Sequence, residues 1–263
     1  MKIGINLFCY AGLDVDIQIE YMKKYGFTNT FTDSEAKGLC EIMEKLSAAG
    51  IVCDTFHAPF NKINDMWSSG EEGEQMLKRL TDSVDRCEMY GVPVLVVHLS
   101  AGDNAPRIND IGYSRFERLV KYADSKGVKI AFENQRKLAN LAFAMEQFDS
   151  AVFCFDTGHE ECFAYGRRFM PLFGDRLAAL HIHDNFKVHN GDKHMLPFDA
   201  AIDFERVARQ IAESGFDGTV MLEVFKSGNP EFYGDISADD YYARAAAAVK
   251  RIAERIEFYK KVQ

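Results

Sequence analysis

The chain has 263 residues, 47% of them hydrophobic, enough to bury a full core as one large α/β domain or two small ones. Asp and Glu (40) outnumber Lys and Arg (31) for a formal charge of -9, which disfavours nonspecific attraction to nucleic acid or an anionic membrane and leaves a small molecule as the easier partner. The six cysteines are scattered without a CxxC pair, no stretch approaches the ~20 apolar residues of a membrane span, and the N-terminal apolar run reaches Asp14 too early for a secretory leader, so reduced thiols and a cytoplasmic location are expected.

In chain order, short β-rich runs alternate with longer stretches of helical spacing. The predicted strands are "KIGINLF" (2–8), "TNTFTD" (28–33), "IVCDTFHAP" (51–59), "PVLVVHLS" (93–100), "VKIAFEN" (128–134), "AVFCFD" (151–156), "LAALHIHD" (177–184) and "GTVMLEVF" (218–225). After the second comes "SEAKGLCEIMEKLSAAG" (34–50), whose Leu39, Ile42, Met43 and Leu46 fall on one helical face. After the fourth, "SRFERLVKYADSKG" (114–127) runs to a glycine stop at Gly127, and the alanine-rich "ADDYYARAAAAVKRIAERIEFYKK" (238–261) reads as a long final helix. Several strands are apolar throughout, as expected when both faces are covered. Eight β/α units without a Pro/Gly/Ser-rich linker, in a chain near the typical ~250 residues, predict a single (β/α)8 TIM barrel occupying one domain over residues 1–263. A doubly wound open sheet is the alternative; against it, the first turn "FCYAGLD" carries no GxGxxG, and the chain has no Walker GxxxxGKS/T.

Active sites of such barrels form at the C-terminal ends of the strands, and polar groups gather there. His57 ends the third strand, His98 the fourth, Glu133 the fifth and Asp156 the sixth, with His159 just beyond. His181 and His183 come late in the seventh strand and Glu223 late in the eighth. Alternation along a strand puts His181 and His183 on one face and Asp184 on the other, and the loop that follows adds Asp192 and His194. A lone histidine at a strand end is more often a hydrogen-bonded core residue than a ligand; Asp156 suits a helix N-cap, and Glu133 suits half of a buried ion pair. Glu223, between apolar residues in "MLEVF", needs a cation or strong donors. Jointly, six successive strands deliver a His, Asp or Glu to one rim, a mixed N/O set that suits Zn2+, Mn2+ or a similar divalent ion.

The runs "TFHAPF", "FENQ", "FDTGH", "LHIHDN", "GDKHMLPFDAAIDF" and "MLEVF", in this order and at these spacings, resemble the xylose isomerase-like barrel superfamily. That superfamily contains sugar and sugar-phosphate isomerases and epimerases as well as endonuclease IV-type apurinic endonucleases. The resemblance runs from about the third strand to the eighth and implies one divalent metal held by Glu133, Asp156, His181 and Glu223. His181 is preferred to His183 because it makes the family's His-x-x-Asp spacing with Asp184. In the endonuclease branch five more ligands complete a three-metal cluster, and the matching residues here are His57, His98, His159, Asp192 and His194. The cofactor so implied is Mn2+ or Zn2+, one to three ions per chain, and a homo-oligomer, dimer or tetramer, is implied as well. His189 has no counterpart in the pattern and is expected to be solvated.

The activity implied is that of a metal-dependent sugar or sugar-phosphate isomerase or epimerase. A proton leaves the carbon next to the carbonyl, an enediolate forms, and Glu133 and Glu223 serve as the acid/base pair as well as ligands. An apurinic endonuclease is the alternative reading; the acidic balance and short loops, such as "SEAKGL" directly after the second strand, count against it and against a nucleic-acid partner. A third reading, a non-catalytic metal- or carbohydrate-binding barrel, would need a defect in the acid/base pair, and both glutamates are present. Candidate substrate contacts are Asn6 late in the first strand, Asn134 with Gln135 and Arg136 after Glu133, and Lys226, Lys187 or Lys193 for a phosphate or carboxylate. Trp67, the one tryptophan, either covers a sugar face or packs.

Overall fold

Strand segments that are apolar on both faces need a covering layer on each side, and the two-residue alternation decides which side chain meets which layer. The computed structural model describes residues 1–262; Gln263, the last residue of the expected domain, lies outside the described residues. Its strands are β1 (Lys2–Ile5), β2 (Asn29–Asp33), β3 (Val52–His57), β4 (Val94–Val97), β5 (Lys129–Glu133), β6 (Val152–Asp156), β7 (Leu177–His181) and β8 (Thr219–Leu222). They are parallel and lie in the order β7-β6-β5-β4-β3-β2-β1-β8. The two ends of that order meet through Ile182, whose N–H donates to Met221 O at 2.9 Å and whose carbonyl accepts from Glu223 N at 3.0 Å. With helices between the strands, the chain forms the expected single (β/α)8 barrel.

All eight strands stand where the sequence places them, but most stop sooner at their C-terminal ends. The first is typical: Asn6 N–H still donates to Leu222 O at 3.0 Å and Leu7 N–H to Phe31 O at 2.9 Å, after which Phe8 turns into left-handed backbone at φ 67. The helix in the 34–50 stretch runs Leu39–Ala49 and buries Leu39, Ile42 and Leu46, with Met43 at the edge of the core. The helix Asp110–Ser125 stops where expected, Gly127 taking φ 70, and the final helix spans Ala238–Val262. Trp67 is buried in the short turn Ile63–Trp67, donates its indole N–H to Leu99 O at 2.6 Å and lies against Phe116. It packs, and the idea that it covers a sugar face is corrected. Among the described residues no helix is long and apolar enough to cross a membrane.

Alternation also builds the platform of the site. Leu95, Val97, Ile130, Phe132, Phe153, Phe155 and Leu180 join the large core, whereas Val96, Ala131, Cys154 and Ala179 form a separate buried cluster of mostly small side chains from β4 to β7. Two residues further along each of those strands stand His98, Glu133, Asp156 and His181, on the same face. The polar layer rests on the small one.

The first strand is held to a glycine by its neighbours. A Cβ on Gly4 would lie 2.5 Å from Met221 Cε and 2.9 Å from the Asn29 carbonyl oxygen of the adjacent strand. Met221 can turn aside but a ladder carbonyl cannot, so Gly4→Ala is expected to cost about 1–3 kcal/mol. In denaturant titration this would appear as a lower midpoint at unchanged slope; an unchanged midpoint would show that β1 can shift at no cost.

Candidate metal centre and active site

The strand ends bring nine side chains to one place. His57 ends β3, Glu133 β5, Asp156 β6 and His181 β7, while His98 follows β4 and Glu223 follows β8 by one residue. His159 sits in the short helix Thr157–Phe163, which Asp156 caps by accepting the His159 N–H on Oδ1 at 2.6 Å. Capping and site membership therefore belong to the same carboxylate. The remaining two arrive on a loop: Asp184 and Met195 exchange both backbone hydrogen bonds, at 2.9 and 3.0 Å, so the chain between them leaves the barrel and returns. The Asp184 carboxylate accepts the N–H groups of Ala200, Ala201 and Ile202, an anchoring role apart from the cluster. That return places Asp192 and His194 beside His159.

Five overlapping groups have candidate ligand atoms within 4.8 Å of one another; three of them take in all nine residues, namely His57, His98 and Glu133; Glu133, Asp156, His181 and Glu223; and His159, Asp192 and His194, while the other two join Cys154 to Glu133 and His181, and His183 to His194 and Glu223. In the first, His98 Nε2 is 2.6 Å and His57 Nε2 3.6 Å from Glu133 Oε2. In the second, His181 Nδ1 is 2.8 Å from Glu133 Oε1 and 3.4 Å from Glu223 Oε2. In the third, His159 Nε2 and His194 Nε2 each lie 3.2 Å from Asp192 Oδ2. His183, which the sequence ranks below His181, is fully buried with Nε2 3.1 Å from both Asp156 oxygens and its ring stacked on His194. A Cβ on Gly158 would fall 1.8 Å from that ring, so only glycine leaves it room.

Three of the imidazoles are oriented by backbone carbonyls. Nδ1 of His57 lies 2.8 Å from Ala58 O, that of His159 3.1 Å from Asn134 O, and that of His194 3.1 Å from Glu223 O. With the proton on Nδ1, each presents Nε2 to a carboxylate, which is how metal-binding histidines are usually held. His194 adopts left-handed backbone at φ 47, and its carbonyl accepts the Phe225 N–H at 3.0 Å.

The charges are arranged to stay. Burial would raise the Glu133 carboxyl, but His181, His98 and His57 hold it well below the usual range. Asp156 and Asp192 are likewise raised by burial and more than offset by their imidazoles, so both are lowered. His159 and His181 are raised well above their ordinary value despite burial, and His194 is pushed up to about 9 by Asp192 and Glu223. His98 goes the other way because burial outweighs Glu133. A donor set of imidazole nitrogen and carboxylate oxygen, with His181 Nε2 and Asp192 Oδ1 buried and without hydrogen-bond partners, fits a divalent cation.

The groups open into a cavity of about 570 Å³. Gln135 reaches it, its Nε2 3.3 Å from His98 Nε2 and 3.0 Å from His159 Nδ1, and Arg136 lines it over the Phe163 ring. Other expected contacts go elsewhere. Both ends of the Asn134 amide are taken by the Asp156 backbone, at 2.7 and 2.8 Å; Asn6 Oδ1 accepts the Val224 N–H; Lys226 Nζ donates to Gly234 O. None of these three is among the cavity-lining residues, nor are Lys187 and Lys193, and Lys193 Nζ pairs instead with Glu231 at 3.3 Å. His189 is exposed and stacks on Tyr165, as its lack of a counterpart suggested. Sequence reasoning missed Asp33, Phe60, Asn190 and Phe225, which also line the cavity. Asp33 carried a signal, since it ends β2 as the ligand candidates end their strands.

Metal ligands must be deprotonated. Without metal His194 is protonated at pH 7, being pushed up to about 9, so below that value a proton competes with a cation for Nε2. Metal uptake at pH 7 is therefore expected to release protons, and apparent affinity to rise with pH through that range, as read by calorimetry in buffers of different ionisation enthalpy. Proton-neutral uptake at pH 7 would place the ion away from His194.

The model of the xylose isomerase-like TIM barrel family matches residues 15–252. The uncharacterized protein y4fM of Sinorhizobium fredii is 29% identical over 202 residues, 71% of this chain and 62% of that protein, so the match spans less than two thirds of that relative. The uncharacterized protein MJ1311 of Methanocaldococcus jannaschii is 22% identical over 252 residues, 85% of this chain and 83% of that protein. Among solved structures, the D-psicose 3-epimerase of Clostridium cellulolyticum H10 with D-tagatose superposes with a TM-score of 0.79 at 16% identity, over 97% of this chain and 99% of that one. IolI protein with a bound zinc atom gives 0.75 at 17% identity, over 98% and 99%. At such identities these two likenesses show the fold. The family match spans the strands from β2 to β8, with every residue of the three ligand groups inside it, and the chain belongs to the xylose isomerase-like TIM barrel family.

Proposed function

We propose that the protein is a divalent-metal-dependent isomerase or epimerase of an open-chain sugar. The observation that carries this reading is the pair of carboxylates, Glu133 and Glu223, set 2.8 and 3.4 Å from one imidazole nitrogen of His181 at the floor of the cavity. Likeness of fold to a D-psicose 3-epimerase, a protein whose name states such a reaction, supports it. Glu133, Asp156, His181 and Glu223 would hold the ion, Mn2+ or Zn2+, and the two other groups extend the capacity to three. When bound, the ion supplies Lewis-acid polarisation of the sugar's carbonyl and neighbouring hydroxyl.

The chain's own residues supply the rest. Glu133 ends β5 and Glu223 follows β8, three strands apart around the ring, so the two carboxylates come to the cavity from separate strands and a substrate held there would meet both. One takes the proton from the carbon beside the carbonyl and the other returns it. Return to the opposite face of the same carbon gives an epimer, and return to the neighbouring carbon an aldose–ketose isomer. Asp156, gripped by His183 and the His159 N–H, is fixed in place, and Phe60, Phe163 and Phe225 at the cavity wall limit water around the reacting carbons. Arg136 is the one Lys or Arg among the described lining residues, which favours an unphosphorylated sugar over a sugar phosphate.

A second reading, metal-dependent phosphodiester cleavage at abasic sites, draws on the third ligand group of His159, Asp192 and His194, which proton transfer does not require. The scarcity of cations at the cavity sets it behind.

Incubating the metal-loaded protein with ketoses in D2O decides among these. Exchange of the proton beside the carbonyl is expected, with Glu133→Gln and Glu223→Gln each lowering its rate by about 10²–10⁴-fold. Nicking of an abasic duplex without exchange would move the protein to the second reading, and neither activity would leave a binder. Dialysis against a chelator is expected to abolish exchange, and added Mn2+ or Zn2+ to restore it; exchange that persists in the stripped protein would sink the metal-dependent mechanism.

A further inference from the structure

We propose that Asp33 is a specificity-determining residue of the cavity, accepting hydrogen bonds from the hydroxyls of a neutral polyhydroxy substrate and disfavouring phosphate esters. The inference rests on the isomerase or epimerase reading above and names the substrate class for it. Four acids line the cavity, Asp33, Glu133, Asp192 and Glu223. The last three belong to the ligand groups, where a cation offsets their charge; Asp33 belongs to none of them. On the cationic side, Arg136 donates from Nε to Asp103 Oδ1 at 2.9 Å, and Asn190 Nδ2 holds the other oxygen of the same carboxylate at 2.9 Å. The Arg136 guanidinium also lies 3.7 Å over the Phe163 ring. The fixed positive charge of the lining is thus already compensated, while the exposed carboxylate of Asp33 is free of the metal groups.

Position gives that carboxylate its reach. Asp33 is the last residue of β2, in register with His57 at the end of β3. In the ring of eight, β2 and β6 are four strands apart in either direction, so Asp33 stands across the cavity from Phe163, which ends the helix after β6. A sugar held at Glu133 and Glu223 would have its remaining hydroxyls within the same cavity, whose lining includes both of these walls. The Phe163 wall is aromatic with a tied guanidinium, and the Asp33 wall offers two acceptor oxygens. A carboxylate can take bonds from two adjacent hydroxyls, whereas a terminal phosphate, carrying about -1.5 to -2 charges at pH 7, would meet a like charge with no lysine to balance it.

The test separates binding from turnover by using a hexitol and its terminal phosphate ester, which lack the carbonyl and cannot react. Calorimetry on the metal-loaded full chain at low salt is expected to show the hexitol bound at least about tenfold tighter than the ester. Asp33→Ala is expected to weaken hexitol binding about tenfold. Asp33→Asn should keep hexitol binding within a few-fold while narrowing the discrimination, and added salt should narrow it further in the unchanged protein. Asp33 is exposed, so neither variant threatens the fold. Tighter binding of the ester, affinities indifferent to both substitutions, or no binding of either compound would each overturn the assignment. Hexitol binding that depends on Asp33, in a protein that exchanges no proton from any ketose, would support Asp33 as the reader of hydroxyls and refute the isomerase reading instead.

Discussion

A buried carboxylate surrounded by imidazoles is the constraint on which the site depends. Glu133 is 2% exposed, and a charge at that depth costs several kcal/mol unless partners replace the lost water. His98 at 2.6 Å, His181 at 2.8 Å and His57 at 3.6 Å replace it, and through them Glu133 belongs to three of the five overlapping ligand groups at once. Each partner is itself buried and stabilised by the carboxylates, so removing one member leaves the others uncompensated. The cluster is a unit whose members hold one another's charge, which is also what a divalent ion asks of its ligands.

Two kinds of support hold that unit. Rigid strand ends place the first two groups, where the ladder fixes the backbone and the carbonyl of Ala58 fixes a ring. The third group depends on a returning loop, and the loop is secured far from its tip. Asp184 ties its base to Ala200, Ala201 and Ile202, and Tyr233 accepts the Leu196 N–H at 3.0 Å while donating to Asp199 at 2.7 Å. His194 in turn keeps an unfavourable left-handed backbone because its carbonyl, its ring and its neighbour Asp192 are all engaged. A strained residue held from three sides is common at functional sites, and here it is the residue that closes the third group.

The barrel and its rim were legible in the sequence for a physical reason: a parallel strand has a period of two and a defined C-terminal end, so order along the chain becomes order around a ring. Nine residues from "TFHAPF" to "MLEVF" could be placed at one rim with no distance known. What was not legible depends on contacts between residues far apart in the chain. Asn134 looked like a substrate contact, yet its amide is spent on the Asp156 backbone 22 residues away. Trp67 could have faced a ligand, but its indole N–H found Leu99 O, and Phe116 filled the space beside it. Lys226 turns to Gly234 and lies over the Tyr10 ring, away from the lining. His183 was ranked as a bystander by spacing alone, and the room that Gly158 leaves is what lets it reach Asp156.

Beneath the polar layer, the choice of Val96, Ala131, Cys154 and Ala179 has a consequence above it. Small side chains at those positions fill the barrel interior directly beneath the level at which ligand atoms, carried two residues further on, approach within 4.8 Å of one another. Larger residues there would overpack the interior and press on the polar layer above. Cys154 shows the chemistry of this boundary: burial pushes its thiol up to about 12, so it stays neutral and leaves the charges above it unopposed from below. Above the polar layer, Phe60 stacks on His98 at 4.7 Å and Phe163 packs on His159 at 5.1 Å, so two of the imidazoles are covered by aromatic rings where the group opens into the cavity. Coulombic interactions strengthen as the local dielectric falls, and the apolar packing beneath the cluster, with these rings above two of its members, strengthens the pairing among the buried carboxylates and imidazoles.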